Sequence, residues 1–411
     1  MTKADQEQIR VVLARGGTSK GIYLHDRDLP PSGPRRDWVL ARLMGSPDVL
    51  QIDGLGGSRP ITSKVAIIKV SDRPDADIDY TFAQVDVLKR SVSYGPNCGN
   101  ISSGVGPFAI DEGLIDAHEG ITQVRIYNTN SETVLVADVP VRGGKAQVTG
   151  DFVVPGVPGT GAEIVMNWAG TIGSQYDVLL PSGHVSDRVR LEDGREVNVT
   201  LCDVGNPCLW ISGPDVGFRG DETVSEINGN RSLIPLLREI EAKAAQAFGF
   251  VEDWKPASRR GGLFILSGFV SSPASYTSLN GIRISADYMD VRIHLMFMDL
   301  LHESIAGTGS ISLAAASRIA GSVVHALALN TDSGQLRIGH PSGVTPARVK
   351  ARPSDVFPFV EFEDIGFSRT SRRLMDGNAY LPSADMAALT EDTSVSAKAT
   401  TAPTVFEELA D

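Results

Sequence analysis

The sequence predicts an α+β protein built of two pseudo-symmetric lobes, each a mostly antiparallel sheet wrapped around a central helix. Three observations predict it. Short β-branched runs closed by turn residues recur along the 411 residues, the pattern of strands joined by tight connections. Two of four helical stretches are rich in small residues and nearly free of charge, and a helix apolar on every face is a buried one. Finally, two motif pairs recur in the same order. Arg15-Gly16-Gly17-Thr18-Ser19 pairs with Asp203-Val204-Gly205-Asn206-Pro207, and Cys98-Gly99-Asn100-Ile101-Ser102 pairs with Thr308-Gly309-Ser310-Ile311-Ser312. Duplication accounts for both pairs. It assigns residues 1–185 and 186–388 to the two lobes and leaves a polar, Thr/Ser/Ala-rich flexible tail over 389–411.

Along the chain, strands are expected at 8–13, 64–70, 78–87, 122–128, 132–139, 195–202, 208–212, 262–266 and 290–298. Each is a Val/Ile/Thr/aromatic run, and RIHLMFM at 292–298 shows the two-residue period openly. Helices are expected at 35–44, with Trp38, Leu40, Leu43 and Met44 near one face, and at 231–249. In the latter, Glu239 and Lys243 form an i,i+4 pair, and Pro235 falls in the first turn, where its missing N–H costs little. The two buried helices are expected at 100–113 and 310–326.

Composition narrows the function. The chain is 42% hydrophobic and 21% charged, with 42 glycines, three cysteines and a net charge of −12. Three sparse cysteines build no disulfide framework and suit a reducing compartment. The acidic balance excludes nucleic acid as a partner, because binding it draws on released counterions. No apolar run approaches the ~20 residues needed to span a bilayer, and MTKADQEQIR is too polar for a secretory signal. A cytoplasmic protein with no membrane partner is expected; the sequence does not decide between a monomer and a homo-oligomer.

Gly95-Pro96-Asn97-Cys98-Gly99-Asn100 is the sharpest motif. It presents a thiol at a helix start, where unpaired N–H groups and the dipole lower a thiol pKa and attract carboxylates. Thr308-Gly309-Ser310 is expected to form the matching start, so that two facing helix ends hold a molecule with two or more carboxylates. Simple capping is the plainer explanation there. Arg15, Thr18, Ser19 and Lys20 read as an anion-binding turn. That segment fails the phosphate-loop pattern, because Gly21 is followed by Ile22 and Tyr23. Gly104-Val105-Gly106-Pro107-Phe108-Ala109 lies inside a predicted helix, which excludes a dinucleotide fingerprint. Lys64 leads a strand; on spacing alone it is more often a surface charge than a base. The seven histidines show no metal spacing. His302 can reach the Thr308 start, and Ser342, in the His340–Gly343 turn, is a candidate carboxylate donor. Asn206 belongs to the turn between Cys202 and Cys208, which lack the partners for a zinc site.

RGGTSKG at 15–21, QIDGLGG at 51–57, TSKVAI at 62–67, GPNCGN at 95–100, VGPFAI at 105–110 and VGNPC at 204–208 resemble the PrpF family over about residues 10–385. That family includes 2-methylaconitate cis-trans isomerase, 3-methylitaconate delta-isomerase and 4-oxalomesaconate tautomerase. The resemblance implies the diaminopimelate epimerase-like fold, with an active site between its lobes and no metal or organic cofactor. It places the family's lysine and cysteine on Lys64 and Cys98. Epimerases of this fold carry a second cysteine where this chain has Thr308, which argues against two-thiol racemisation.

A lysine–cysteine pair suits a 1,3-proton shift on an unsaturated di- or tricarboxylate. Lys64 takes an allylic proton, N–H groups at the two helix starts stabilise the dienolate, and a proton returns at the far end of the allyl unit, with Cys98 as candidate donor; the roles of lysine and thiol can exchange with the substrate, and the sequence does not decide which takes the first proton. Rotation in the dienolate gives a cis-trans outcome. The substrate-binding candidates are Arg15, Thr18, Ser19, Asn97, Gly99, Asn100, Asn206, His302, Thr308, Gly309, Ser310 and Ser342. Two other functions remain: a racemase or epimerase of the same fold, and a non-catalytic accessory to an aconitase-type dehydratase.

Overall fold

The computed structural model describes residues 5–95, 97–260, 263–264, 266–297 and 299–383. The expected flexible tail at 389–411 lies outside the described residues, as does Pro96. The chain divides into two compact units. Among the described residues, the first takes 5–153, Gly159–Ile164 and 369–383; the second takes Val154–Pro158 and Val165–Ser368. Where the expected spans, 1–185 and 186–388, cut the chain once, these units interleave. The physical reason is pairing: strand Ser371–Pro382 hydrogen-bonds antiparallel along the whole of the first strand.

The first unit contains β1 (Gln6–Gly16), β2 (Ser19–His25), α1 (Pro34–Met44), β3 (Lys64–Val70), β4 (Ile78–Val85), β5 (Val92–Ser93), α2 (Gly99–Ser102), α3 (Val105–Asp111), β6 (Gly120–Asn128) and β7 (Thr133–Arg142). β1 and β2 form a hairpin; β2 runs parallel to β3, β3 antiparallel to β4, β4 parallel to β6, and β6 antiparallel to β7. Register decides which side chains reach which layer. Gly21, Lys64 and Gln84 are cross-strand neighbours, and Tyr23, Ala66 and Phe82 are the next set on the same face. The intervening residues point the other way. There Ile22, Leu24, Val65, Ile67, Ala83 and Val85 pack on Val39, Leu40, Leu43 and Met44 of α1. Each Val, Leu, Ile or Met side chain among them contributes about 1.5–3 kcal/mol on burial.

The face bearing Lys64 meets the small-residue helix instead. Tyr23 donates its hydroxyl to the Ile101 carbonyl at 2.7 Å, and its ring lies 6.0 Å from that of Phe108. The single helix expected over 100–113 is in fact two pieces. Pro107 has no N–H to give the Ser103 carbonyl, and the backbone at Gly104 lies so near Tyr23 that a Cβ there would sit 2.3 Å from its hydroxyl.

The second unit repeats this order. It contains β8 (Glu196–Val204), β9 (Asn206–Ser212), α4 (Leu233–Ala247), β10 (Leu266–Ser271), β11 (Val291–Phe297), β12 (Leu300–Leu301), α5 (Gly307–Ala316), α6 (Val323–Leu327), β13 (Gln335–His340), β14 (Gly343–Pro353) and β15 (Val360–Arg369). β8 and β9 form a hairpin; β9 runs parallel to β10, β10 antiparallel to β11, β11 parallel to β13, and β13 antiparallel to β14. α4 packs on Val197, Val199, Leu201, Leu209 and Ile211, while α5 takes the opposite face through Trp210, whose Nε1 donates to Ser312 Oγ at 3.2 Å. Fold class and pseudo-symmetry therefore hold, unit by unit. The helix expected over 310–326 begins at Gly307 and breaks after Ala316, with Ser322 capping a second short piece. Of the strand expected at 262–266, Gly262 and Ile265 lie outside the described residues, and the described strand is Leu266–Ser271.

Candidate active site

Lys64 opens β3 with 5% of its surface exposed. Its Nζ donates to Gln84 Oε1 at 2.6 Å and lies 5.1 Å from the centre of the Phe82 ring. Gln84 cannot turn its amide round, because its Nε2 already donates to the carbonyls of Pro60, Ser63 and Val85. Only its oxygen is left for the lysine. Burial pulls the Lys64 ammonium below the usual lysine range, opposed by the charge and hydrogen bond of the Cys98 thiol. The lysine and the thiol are thus neighbours. A lysine held toward its neutral form is a competent base near neutral pH.

Cys98 is the residue just before α2, in extended conformation (φ −129°, ψ 94°), and its side chain makes no capping hydrogen bond. The thiol is therefore not engaged by the helix. The helix itself is a single turn, Gly99–Ser102. The helix expected behind the thiol continues as a second piece, Val105–Asp111, after Ser103 and Gly104.

The Arg15–Ser19 turn closes over this helix start. Gly17 has φ +50°, and a Cβ on it would sit 2.3 Å from Asn100 Oδ1, so only glycine fits. Asn100 Nδ2 donates to Thr18 Oγ1 at 2.9 Å. Ser19 and Asn97 are buried nearby in sequence at 3% and 5% exposure. Arg15 is turned elsewhere. Its guanidinium donates to the carbonyls of Gly17 and Thr370 and to Thr370 Oγ1, which braces the turn against the chain just after β15.

The second-unit candidates gather in two places. Asn206 Nδ2 donates to Thr308 Oγ1 at 2.9 Å, with both residues buried. Thr308, Gly309 and Ser310 lie inside the first turn of α5, which begins two residues earlier than the motif match implies. Ser310 Oγ is turned back to the Gly307 carbonyl. Ser342 Oγ donates to the Glu303 carbonyl, beside His302, whose Nδ1 accepts from the Ser304 N–H at 3.0 Å. Cys202 and Cys208 are opposite each other on β8 and β9. Burial pushes the Cys202 thiol up to about 12 and the Cys208 thiol well above its ordinary value, so both stay protonated.

Sequence reasoning missed Gln84 and Arg369. Gln84 follows only from the β3–β4 register. Arg369 is 2% exposed and donates Nε to Asn100 Oδ1 at 2.9 Å. Nothing local in FSRTSRR marks it; it reaches the site because the chain returns to the first unit at this residue.

A family model described as PrpF protein matches residues 6–382. A 3-methylitaconate isomerase of Eubacterium barkeri is 44% identical, over 93% of this chain and 100% of that protein. A crystal structure titled methylitaconate-delta-isomerase matches with TM-score 0.78 and 42% identity, covering 97% of this chain and 100% of the other. A hydroxyproline epimerase of Agrobacterium vitis matches at 12% identity and TM-score 0.55, over 92% of this chain and 93% of that one, a likeness of fold.

Proposed function

The chain belongs to the PrpF family and is an isomerase of unsaturated carboxylates, and from that premise we propose that Lys64 and Cys98 move the proton in an allylic 1,3-shift. The observation that carries this is the buried lysine hydrogen-bonded to a thiol that no capping duty claims.

An allylic C–H of the substrate is acidified by the adjacent carboxylate-bearing alkene. Neutral Lys64 takes that proton and becomes an ammonium, leaving a dienolate. Backbone N–H groups at the Cys98–Asn100 turn lie where such charge can be met, because the first N–H groups of a helical turn have no partner within it. The Cys98 S–H delivers a proton to the far carbon of the allyl unit, and the ammonium returns its own proton to the thiolate. No net proton is consumed. Gln84 Oε1 can accept from the lysine Nζ in either protonation state, and the Phe82 face favours the ammonium.

Methylitaconate heads the candidate substrates, since the E. barkeri relative is named for it; methylaconitate and oxalomesaconate are the family's other named types. Proton NMR of the purified protein with each of the three decides the matter. Conversion of at least one, through alkene migration or geometric isomerisation, is expected. A change of optical rotation in a saturated substrate, with none of the three converted, would overturn the reading in favour of a racemase.

A further inference from the structure

The loop that precedes β3 closes on one buried side chain. Gln51 is 2% exposed and sits in the left-handed region at φ +48°. Its Oε1 accepts the Ser58 N–H at 2.8 Å, which fixes the way round of the amide, and its Nε2 donates to Ser46 Oγ at 3.2 Å. The same oxygen accepts from Ser63 Oγ at 2.8 Å, a hydroxyl that also reaches the Arg59 carbonyl at 2.9 Å. Ser63 is fully buried and stands directly before Lys64. A Cβ on Gly56 would lie 2.3 Å from Gln51 Oε1, and one on Gly54 would lie 2.1 Å from the Gly45 nitrogen. Glycine at both places lets the loop wrap tightly on this amide.

From Ser63 the bonds continue to the base. The Pro60 and Ser63 carbonyls accept from Gln84 Nε2 at 3.1 and 3.2 Å, and Gln84 Oε1 accepts from Lys64 Nζ at 2.6 Å. Gln51, Ser63, Gln84 and Lys64 are thus joined by a hydrogen bond at every link.

We infer that Gln51 is a positioning residue for the proton-transfer lysine, acting through Ser63 and the amide of Gln84.

What it sets is the direction of that amide. A neutral amine has two N–H bonds and one lone pair. With one N–H spent on Gln84 Oε1, the lone pair is left for the substrate. A reversed amide would instead donate into the lone pair and turn a second donor toward the ammonium, which weakens the base in both forms. Two of the three carbonyls that prevent the reversal, those of Pro60 and Ser63, lie in the turn that Gln51 holds; Val85 supplies the third. Around the lysine, β2 brings Gly21 and β4 brings Gln84 and Phe82, none of them titratable; the ionisable group coupled to it is the Cys98 thiol before α2. The catalytic consequence rests on the function proposed above, whereas the state of the lysine can be read without substrate.

The experiment is a double-mutant cycle with two readouts. One is kcat and KM on whichever of the three carboxylates is converted. The other is titration of the Lys64 Cε signal by carbon-13 NMR without substrate, with Cys98→Ala in place so that the thiol does not titrate alongside. Gln51→Met is expected to lower kcat about tenfold, with KM changed less than about twofold, and to move the Lys64 midpoint down by about half a unit as the ammonium loses its acceptor. Ser63→Ala breaks the same chain one link nearer the base; it should act in the same direction, and it serves if circular dichroism shows Gln51→Met unfolded. In a Gln84→Met background either substitution should cost less than about twofold, because the amide through which it acts is gone. Equal losses with and without Gln84, or a Lys64 midpoint unmoved in every variant that folds, would overturn the inference. A moved midpoint in a protein that converts none of the three carboxylates would leave the inference standing and sink the proposed function alone.

Discussion

The two units share one strand scheme and differ in what they place on it. Tyr23 in the first and Trp210 in the second each reach from the second strand of a hairpin to the central helix. Tyr23 pairs with Ala66 and Trp210 with Gly268. Two residues before Ala66 stands Lys64; two before Gly268 stands Leu266, equally buried and 3.5 Å from where a Cβ on Gly309 would be. The residue before the first helical turn is Cys98 in one unit and Ala306 in the other. The second unit's thiols lie instead in the strands, where burial keeps them protonated. The strand scheme is duplicated, and the proposed proton-transfer pair of Lys64 and Cys98 has no counterpart at the matching positions Leu266 and Ala306.

Making the first unit like the second is the hardest test of this contrast. Lys64→Met gives its strand the apolar character of Leu266 and is expected to lower kcat by about 10³-fold. It should leave the melting temperature equal or higher, since burying a lysine carries a desolvation cost that methionine lacks. An unfolded variant, or one with near-parent kcat, would break the comparison.

A thiol pair gives the next effect. Cys98→Ala should cost about 10²-fold in kcat with little change in stability. Cys208→Ala should change kcat less than about twofold but lower stability by about 1 kcal/mol through its small cavity. Steady-state kinetics and urea melts on both variants separate the roles, and equal kinetic losses would erase the distinction.

The two helix tethers should differ in both stability and activity. Tyr23→Phe removes one buried hydrogen bond, worth about 1 kcal/mol, while Trp210→Phe also leaves a cavity and should cost more. Only the first lies behind Cys98, so kcat should fall several-fold in Tyr23→Phe alone.

A last effect, on stability rather than activity, concerns a titrating group that the second unit keeps on the face away from α5. Glu241 on α4 accepts from Ser267 Oγ at 2.6 Å, and burial pushes it from 4.5 up to about 7. Its folded form binds a proton that the unfolded form has released, so its contribution is complete below pH 4.5 and is lost as pH rises through 7. Glu241→Gln should therefore gain relative stability from pH 5 to pH 8, read as diverging melting temperatures. Parallel curves would show that the carboxyl is not buried in solution.

Much of this was legible in sequence where local pattern and final contact coincide. KVAIIKV at 64–70 is a strand to the residue, because alternate faces are both buried and nothing in it favours a turn. Pro235 falls in the first turn of α4, as its missing N–H requires. The repeat was visible because glycine is forced where hairpin meets helix: Gly205 has φ +72°, with Ile311 2.9 Å from a would-be Cβ. Strand Ser371–Pro382 was not legible. Half of its residues are exposed, in no regular alternation, and its place is set by pairing with β1 across the length of the chain. Arg369 shares that obscurity, for its meaning comes from the turn it meets rather than from its neighbours in sequence. Lys64 sits between these cases. Its strand was plain, but its burial was not, because that depends on Gln84 from the adjacent strand.

The central claim is that Lys64 carries the allylic proton. The direct measurement is deuterium incorporation from heavy water into the allylic carbon of the converted carboxylate, by NMR, for the parent and Lys64→Met. The expected result is exchange accompanying isomerisation in the parent and the loss of both in Lys64→Met, with folded spectra retained. Exchange that persists at the parent rate in Lys64→Met would contradict it.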